Sequence, residues 1–212
     1  MAESATAVGT RATALGEGSV AIGRQARAES AGSIAIGDGA VARSSVAVGI
    51  AAQALGLNTT AVGDRAQATG DYSAAFGNQA VASGHNSVAL GNGSVADQPN
   101  TVSVGAPGAE RRITNVAAGI APTDAANVSQ LRDVERKSYV GVAMAIALSS
   151  GRMSLTQPGE KAVGVGVGTY GGNKALSFTF QALDKTGKLQ YNLGVSTTTR
   201  DWSFGAGVGI RW

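Results

Sequence analysis

Three stretches of the chain carry the spacing of a phosphate-cradling loop: Gly16-Glu17-Gly18-Ser19-Val20-Ala21, the run from Gly37 to Ala42 and the run from Gly91 to Ala96. In a dinucleotide site such glycines open a tight turn between a strand and a helix and let the backbone approach a pyrophosphate. No βαβ unit surrounds these three, and they recur in phase with a longer repeat, so they are read as by-products of it. The single imidazole, His85, sits in a loop before Asn86-Ser87-Val88, where an ordinary exposed residue is expected. The chain has no Cys, which removes disulfide frameworks, thiolate metal sites and cysteine nucleophiles. No Ser-His-Asp set, metal-ligand spacing or carboxylate pair is found. The expectation is therefore no catalytic residues, no metal, no cofactor and no enzyme. Basic residues form no stripe with interleaved aromatics, so no nucleic-acid partner is expected.

The elements that hold these residues follow from an unusual composition. Of 212 residues 31 are Gly, 39 are Ala and only 5% are aromatic. A core of this length normally leans on Leu, Ile and Phe, which bury the most apolar area per ordered residue. Four Pro exclude collagen, and a net charge of +3 with abundant Val and Ile argues against disorder. What remains is a thin, repetitive, β-rich architecture. A motif of small residue, apolar, Ala, apolar, Gly recurs as Ser19-Val20-Ala21-Ile22-Gly23, Ser33-Ile34-Ala35-Ile36-Gly37 and onward to Thr101-Val102-Ser103-Val104-Gly105. Its glycines stand at 9, 23, 37, 49, 63, 77, 91 and 105, with one interval of 12 between Gly37 and Gly49 and the rest 14. Weaker half-repeats such as Ala66-Gln67-Ala68-Thr69-Gly70 lie midway, so each coil is two seven-residue units. A solenoid acyltransferase would instead repeat at six. Each unit reads as a short strand closed by a glycine turn, and stacked coils share one continuous core. Because both strand faces are apolar or small, the larger side is expected to close the coil and the Ala side to pack against another chain. The short coil is expected to lose its residues near Arg43 and Ser44.

The pattern changes after Gly105. Thr123-Asp124 reads as a helix start, and a helix is expected from about Asp124 to Ser149. Its second half, Val140 to Leu148, is apolar all round and must be buried. Four alternating strands follow, over Lys161–Tyr170, Lys174–Leu183, Lys188–Thr197 and Asp201–Trp212, joined by short turns as an antiparallel meander. One face carries Val163, Val165, Val167, Phe178, Phe180 and Phe204; the other carries Gly164, Gly166, Gly168, Thr179, Gly205, Gly207 and Gly209. About ten residues per tilted strand cross a hydrocarbon layer, and aromatics near strand ends suit its interfaces. Four strands cannot close a barrel, and open edges are intolerable in lipid, so several copies must share one. Three copies leave room inside for the preceding helices. The Met1-Ala2-Glu3-Ser4 start has neither the cationic beginning nor the apolar run of a signal peptide.

These residues resemble a known family. The Ser-Val-Ala-Ile-Gly repeats are similar to the heads of trimeric autotransporter adhesins of the YadA-like kind. Ile113 to Gly119 and Thr123 to Leu131 resemble that family's neck, and the four strands ending in Trp212 resemble its translocator anchor. The resemblance implies an all-β chain with one helix: a trimeric left-handed β-roll head over 1–108, a neck over 109–123, a coiled-coil stalk and pore-filling helix over 124–150, and an anchor over 151–212. Three anchors would form a 12-stranded barrel in the outer membrane of a Gram-negative bacterium. Gly164, Gly166, Gly168, Gly205, Gly207 and Thr179 would then line the lumen, with Thr179 at a position where the family tends to place a small residue important for export. Ile210 and Trp212 would be the signal read by the outer-membrane assembly machinery. Asn86-Ser87-Val88-Ala89-Leu90-Gly91 resembles head segments that bind collagen in some relatives. The implied partners are two further copies, outer-membrane lipid, the assembly machinery and extracellular-matrix proteins of a host. A head used for self-association and biofilm formation is the alternative. Relatives ordinarily carry a signal peptide and a longer stalk, so a truncated or miscalled start, or an engineered one, is a further expectation.

Overall fold

The computed structural model describes residues 2–212 in two units, one ending at Ile113 and one running Thr114–Trp212. The first is a β-solenoid of two parallel sheets. Its eight-stranded sheet stacks β1 (Thr6–Val8), β3 (Val20–Ile22), β5 (Ile34–Ile36), β7 (Val46–Val48), β9 (Thr60–Val62), β11 (Ala74–Phe76), β13 (Val88–Leu90) and β15 (Val102–Ser103). The seven-stranded sheet stacks the half-repeats β2 (Thr13–Ala14), β4 (Arg27–Ala28), β6 (Val41–Ala42), β8 (Gln53–Ala54), β10 (Gln67–Ala68), β12 (Val81–Ala82) and β14 (Val95–Ala96). The register is that of the repeat: Ala21 pairs with Ala35, Ala47 with Ala61 and Ala75 with Ala89.

One expectation is overturned. The Ala side is the interior of the coil, not its outer face. Ala21, Ala35, Ala47, Ala61, Ala75 and Ala89 are fully buried and form one core with Ala28, Ala42, Ala54, Ala68 and Ala82 of the other sheet. Ile22, Ile36, Val62, Phe76 and Leu90 point outward, Ile22 at 39% and Leu90 at 50% exposure. The reason is geometric. Strands of two or three residues joined by tight turns bring the two layers so close that only a methyl group fits between them, so larger side chains are driven out. The small residue opening five of the repeats, Ser19, Ser33, Thr59, Ser73 and Ser87, is buried as well. The Ser19 hydroxyl donates to the Gly16 carbonyl at 2.6 Å, Ser33 to Ser30 at 2.7 Å and Ser87 to Gly84 at 2.7 Å, closing the corner before each long strand. At the other corner Gly23, Gly37, Gly49 and Gly63 have φ between +128° and +134°, and a Cβ on any of them would strike the next coil's backbone. In the short coil the connection shrinks to residues 43–45, where the Ser44 hydroxyl donates to the Gly56 carbonyl at 2.8 Å. Past the last coil Arg111 reaches back, donating to Ser94 Oγ at 2.7 Å, to the Val104 carbonyl at 2.6 Å and to the Asn92 carbonyl.

The second unit contains α1 (Val128–Ser150) and one antiparallel sheet in sequence order, β16 (Lys161–Tyr170), β17 (Asn173–Leu183), β18 (Leu189–Thr197) and β19 (Trp202–Ile210). The helix starts four residues after Asp124, because two caps compete and the later one is more complete. Asn127 and Gln130 form a reciprocal capping box. The Gln130 side chain also exchanges two hydrogen bonds with the backbone of Gly119, at 2.9 and 3.0 Å, and Asn127 Nδ2 donates to the Val116 carbonyl at 3.1 Å. Asp124 instead closes the preceding turn, accepting from the amides of Ile120 and Ala121 at 2.9 Å each. Strand β19 ends at Ile210, two residues short of the expected Trp212. Among the described residues no helix is long and apolar enough to cross a membrane, which leaves crossing by strands open.

Candidate pore lining and membrane-facing surface

The sheet is sorted by face. Val163, Val165, Val167, Phe178, Trp202, Phe204, Val208 and Ile210 are exposed on one side, Trp202 and Phe204 each at 74%. On the other side direct cross-strand neighbours form rows of small or polar residues: Gly164–Thr179–Gly194–Gly205, Gly166–Ser177–Ser196–Ser203, and Ala162–Gln181–Asn192–Gly207. Helix α1 lies on this second face, burying Val140, Ala143, Met144 and Ala147.

Glycine is required beneath the helix. A Cβ on Gly168, Gly166 or Gly164 would collide with the carbonyl of Ala143, Ala147 or Gly151 respectively. The three helix residues are one turn apart, and the three glycines follow every second residue of β16. A helix rises about 6 Å over four residues and a strand about 6.7 Å over two, so the two rows stay in step. Neighbouring β17 supplies the hydrogen bonds. Ser177 Oγ donates to the Ala147 carbonyl at 2.6 Å, and Thr179 Oγ1 to the Gly151 carbonyl at 2.5 Å. The Met153 amide donates to Gln181 Oε1 at 3.2 Å. Ser177, Thr179 and Gln181 are all buried.

The residues expected to line a lumen therefore divide into two groups. Gly164, Gly166, Gly168 and Thr179 sit under α1. Gly205 and Gly207 share the same face on β19, but a Cβ on Gly207 would meet nothing within 4 Å. A cavity of about 80 Å³ opens there, lined among others by Leu148, Arg152, Gln181, Asn192 and Gly207. Ser177 and Gln181 had not been singled out from the sequence, although polar residues alternating with Leu176, Phe178 and Phe180 were their signal. Ile210 is 69% exposed, and Trp212 is fully exposed. In the solenoid, Asn86 and Leu90 are exposed, Val88 and Gly91 are half-buried, and Ser87 and Ala89 are buried, so the last two offer nothing to a ligand. Asn86 Nδ2 donates to Asn100 Oδ1 at 2.9 Å, and Tyr72 meets His85 edge-on with ring centroids 5.5 Å apart.

Three carboxylates outside the strands, Asp124, Glu160 and Asp184, are held by donors. Amides of Gln157 and then Thr156 lower the pKa of Glu160 from the ordinary carboxylate value. Asp184, in the β17–β18 turn, is lowered chiefly by the Thr186 hydroxyl and then by the Leu189 amide. Asp124 is lowered by the amides of Ala121 and Ile120.

A repeat solenoid followed by a stalk helix and a sheet greasy on its outer side defines a membrane-anchored surface protein. Comparison with known proteins is consistent with that class over nearly the whole chain. The YadA head domain repeat matches six overlapping windows between residues 2 and 106, the coiled stalk of trimeric autotransporter adhesin matches 112–149, and the YadA-like membrane anchor domain matches 153–212. The chain belongs to the trimeric autotransporter adhesins. It is an outer-membrane, cell-surface protein of a Gram-negative bacterium, and a structural adhesin rather than an enzyme. Among solved structures, the collagen-binding domain of the Yersinia adhesin YadA is 35% identical, with a TM-score of 0.55 over 62% of this chain and 75% of that one. Autotransporter adhesin EhaG of Escherichia coli O157:H7 is 42% identical over 128 residues, half of this chain and 8% of that protein. Autotransporter adhesin NhhA of Neisseria meningitidis serogroup B is 29% identical over 113 residues, 48% of this chain and 19% of that protein. The chain thus spans less than a fifth of the length of either of these relatives.

Proposed function

We propose that three copies of this chain share one 12-stranded barrel, export their own heads through it and display them as a multivalent adhesive surface. The observation that carries this reading is the four-stranded sheet, apolar on one face, covered by its own helix on the other, and unpaired along β16 and β19. In water such a sheet would expose Phe178, Phe204 and Trp202. In lipid that face is satisfied, but the two edges are not, and pairing β19 of one copy with β16 of the next removes them. The outward row Ile22, Ile36, Val62, Phe76 and Leu90 supports association of the heads too, since contiguous apolar patches mark interfaces. Gly164, Gly166, Gly168, Gly205, Gly207 and Thr179 then line the lumen, and Ile210 and Trp212, free at the chain end, are offered to the assembly machinery.

For the head, likeness to a collagen-binding domain supports a fibrous matrix protein as ligand, with Asn86 and Leu90 as the accessible parts of their repeat. Many shallow repeats in three copies turn weak contacts into avidity. Self-association between heads on neighbouring cells is the second reading, favoured by the same exposed apolar row. The test is a trimer-sized band from outer membranes that collapses on heating, followed by two assays on cells displaying the head. Binding to immobilised collagen supports the first reading. Clumping of cells without matrix binding supports the second.

A further inference from the structure

We propose that Ser177, Thr179 and Gln181 are positioning residues, a hydrogen-bonded latch that stops α1 in one register and so seals the pore once export is complete. The inference rests on the export reading above and adds what ends the movement. Three rungs are made at successive inward positions of β17, to the Ala147 carbonyl, the Gly151 carbonyl and the Met153 amide, at 2.6, 2.5 and 3.2 Å. The Gly151 carbonyl lies just past the helix end, where no further helical turn follows to occupy it, whereas the Ala147 carbonyl also accepts from the Gly151 amide and Ser150 Oγ at 3.0 Å each. A fourth bond, from Ser150 Oγ to the Val167 carbonyl at 3.1 Å, ties the same turn to β16.

The residues on either side of the rungs make the register single. Along the helix face that meets β16, positions one turn apart read Tyr139, Ala143 and Ala147, followed by the C-cap Gly151 and, in the irregular segment beyond it, Leu155. Only the middle three are small, and they occupy the three glycine positions of β16. A slip of one turn in one direction places Tyr139 over Gly168, which has no space for even a Cβ; a slip in the other pulls the segment past the C-cap, with its buried Leu155, out of place. Leu155 is buried, and Tyr139 is stacked edge-on against Tyr170 with centroids 5.2 Å apart. A slip of a single residue turns the helix by about 100° and breaks every rung at once. The chain can therefore move past β17 while segments without this pattern are in the lumen, and it stops where small residues, bulky flanks and rungs coincide.

The test uses the whole chain in outer membranes and in planar bilayers, with conductance measured per heat-stable trimer recovered. The S177A and Q181L pair removes two rungs, and its conductance per trimer is expected to rise about tenfold or more, because each buried hydrogen bond shifts an open-closed balance by a factor of several. Unchanged conductance per trimer overturns the latch. If the wild-type chain itself yields no trimer, the export reading fails instead. Should the variant not assemble, hydrogen exchange on the wild-type trimer decides: the Met153 amide must exchange at least about tenfold more slowly than that of Ser154. Equal rates overturn the proposal.

Discussion

At the scale of single residues, size decides more than hydrophobicity. The solenoid interior admits a methyl group and no more, so Ala61→Leu is expected to destabilise the head by about 1–3 kcal/mol or more through overpacking. Denaturant midpoints measure this, and Leu90→Ala, outside the coil, should shift the midpoint of an isolated monomeric head far less. Glycine on β16 obeys the same rule. Gly166→Ala puts a Cβ into the Ala147 carbonyl and is expected to lower the temperature at which the trimer dissociates on a gel, whereas Gly207→Ala, with open space before it, should change that temperature little. Asp124 supplies a pH effect. Its folded pKa is depressed by two backbone donors, so its contribution is present above the unfolded pKa and is lost as pH falls through the folded value. Glu160 and Asp184 are depressed as well and add the same sign. Thermal stability should therefore fall on acidification below about pH 4, and Asp124→Asn should make that fall shallower without removing it.

At the scale of elements, local signals set what forms and contacts distant in sequence set how it is used. The capping box at Asn127 makes a clean prediction: Asn127→Ala should cost about 1 kcal/mol, read as a loss of helix content on warming. The anchor strands to within two residues of their bounds, the 14-residue pairing and the two faces of the anchor sheet were legible in the sequence, because alternation and glycine spacing are local. The start of α1 was displaced because Thr123-Asp124 and Asn127 to Gln130 both look like caps, and only the neck contact between Gln130 and Gly119 selects the second. The inside of the solenoid was read backwards because Val20-Ala21-Ile22 is apolar on both sides, and hydrophobicity alone points to the larger one. The space between a three-residue strand and the two-residue strand facing it is a property of the closed coil, not of the strand. Alternation puts Ser177 and Gln181 on the polar face of their strand, but it does not mark what they bond to, for a related reason. Their partners, Ala147 in α1 and Met153 just past its end, lie about 30 residues earlier, and nothing near them in the chain marks a helix end.

At the scale of the whole molecule, each unit leaves an apolar surface exposed, and the anchor sheet leaves two backbone edges unpaired besides. The anchor sheet has unpaired β16 and β19 edges, and the head has its outward row of Ile22, Ile36, Val62, Phe76 and Leu90. The account stands on the sheet being one third of a closed cylinder. Native mass spectrometry of the chain extracted from outer membranes in mild detergent tests that most directly. The expected species is a single assembly of three chains of 21.0 kDa each, stable until heated. A 21.0 kDa single chain, stable in buffer free of detergent and with Phe178 and Phe204 shielded within its own fold, would contradict it.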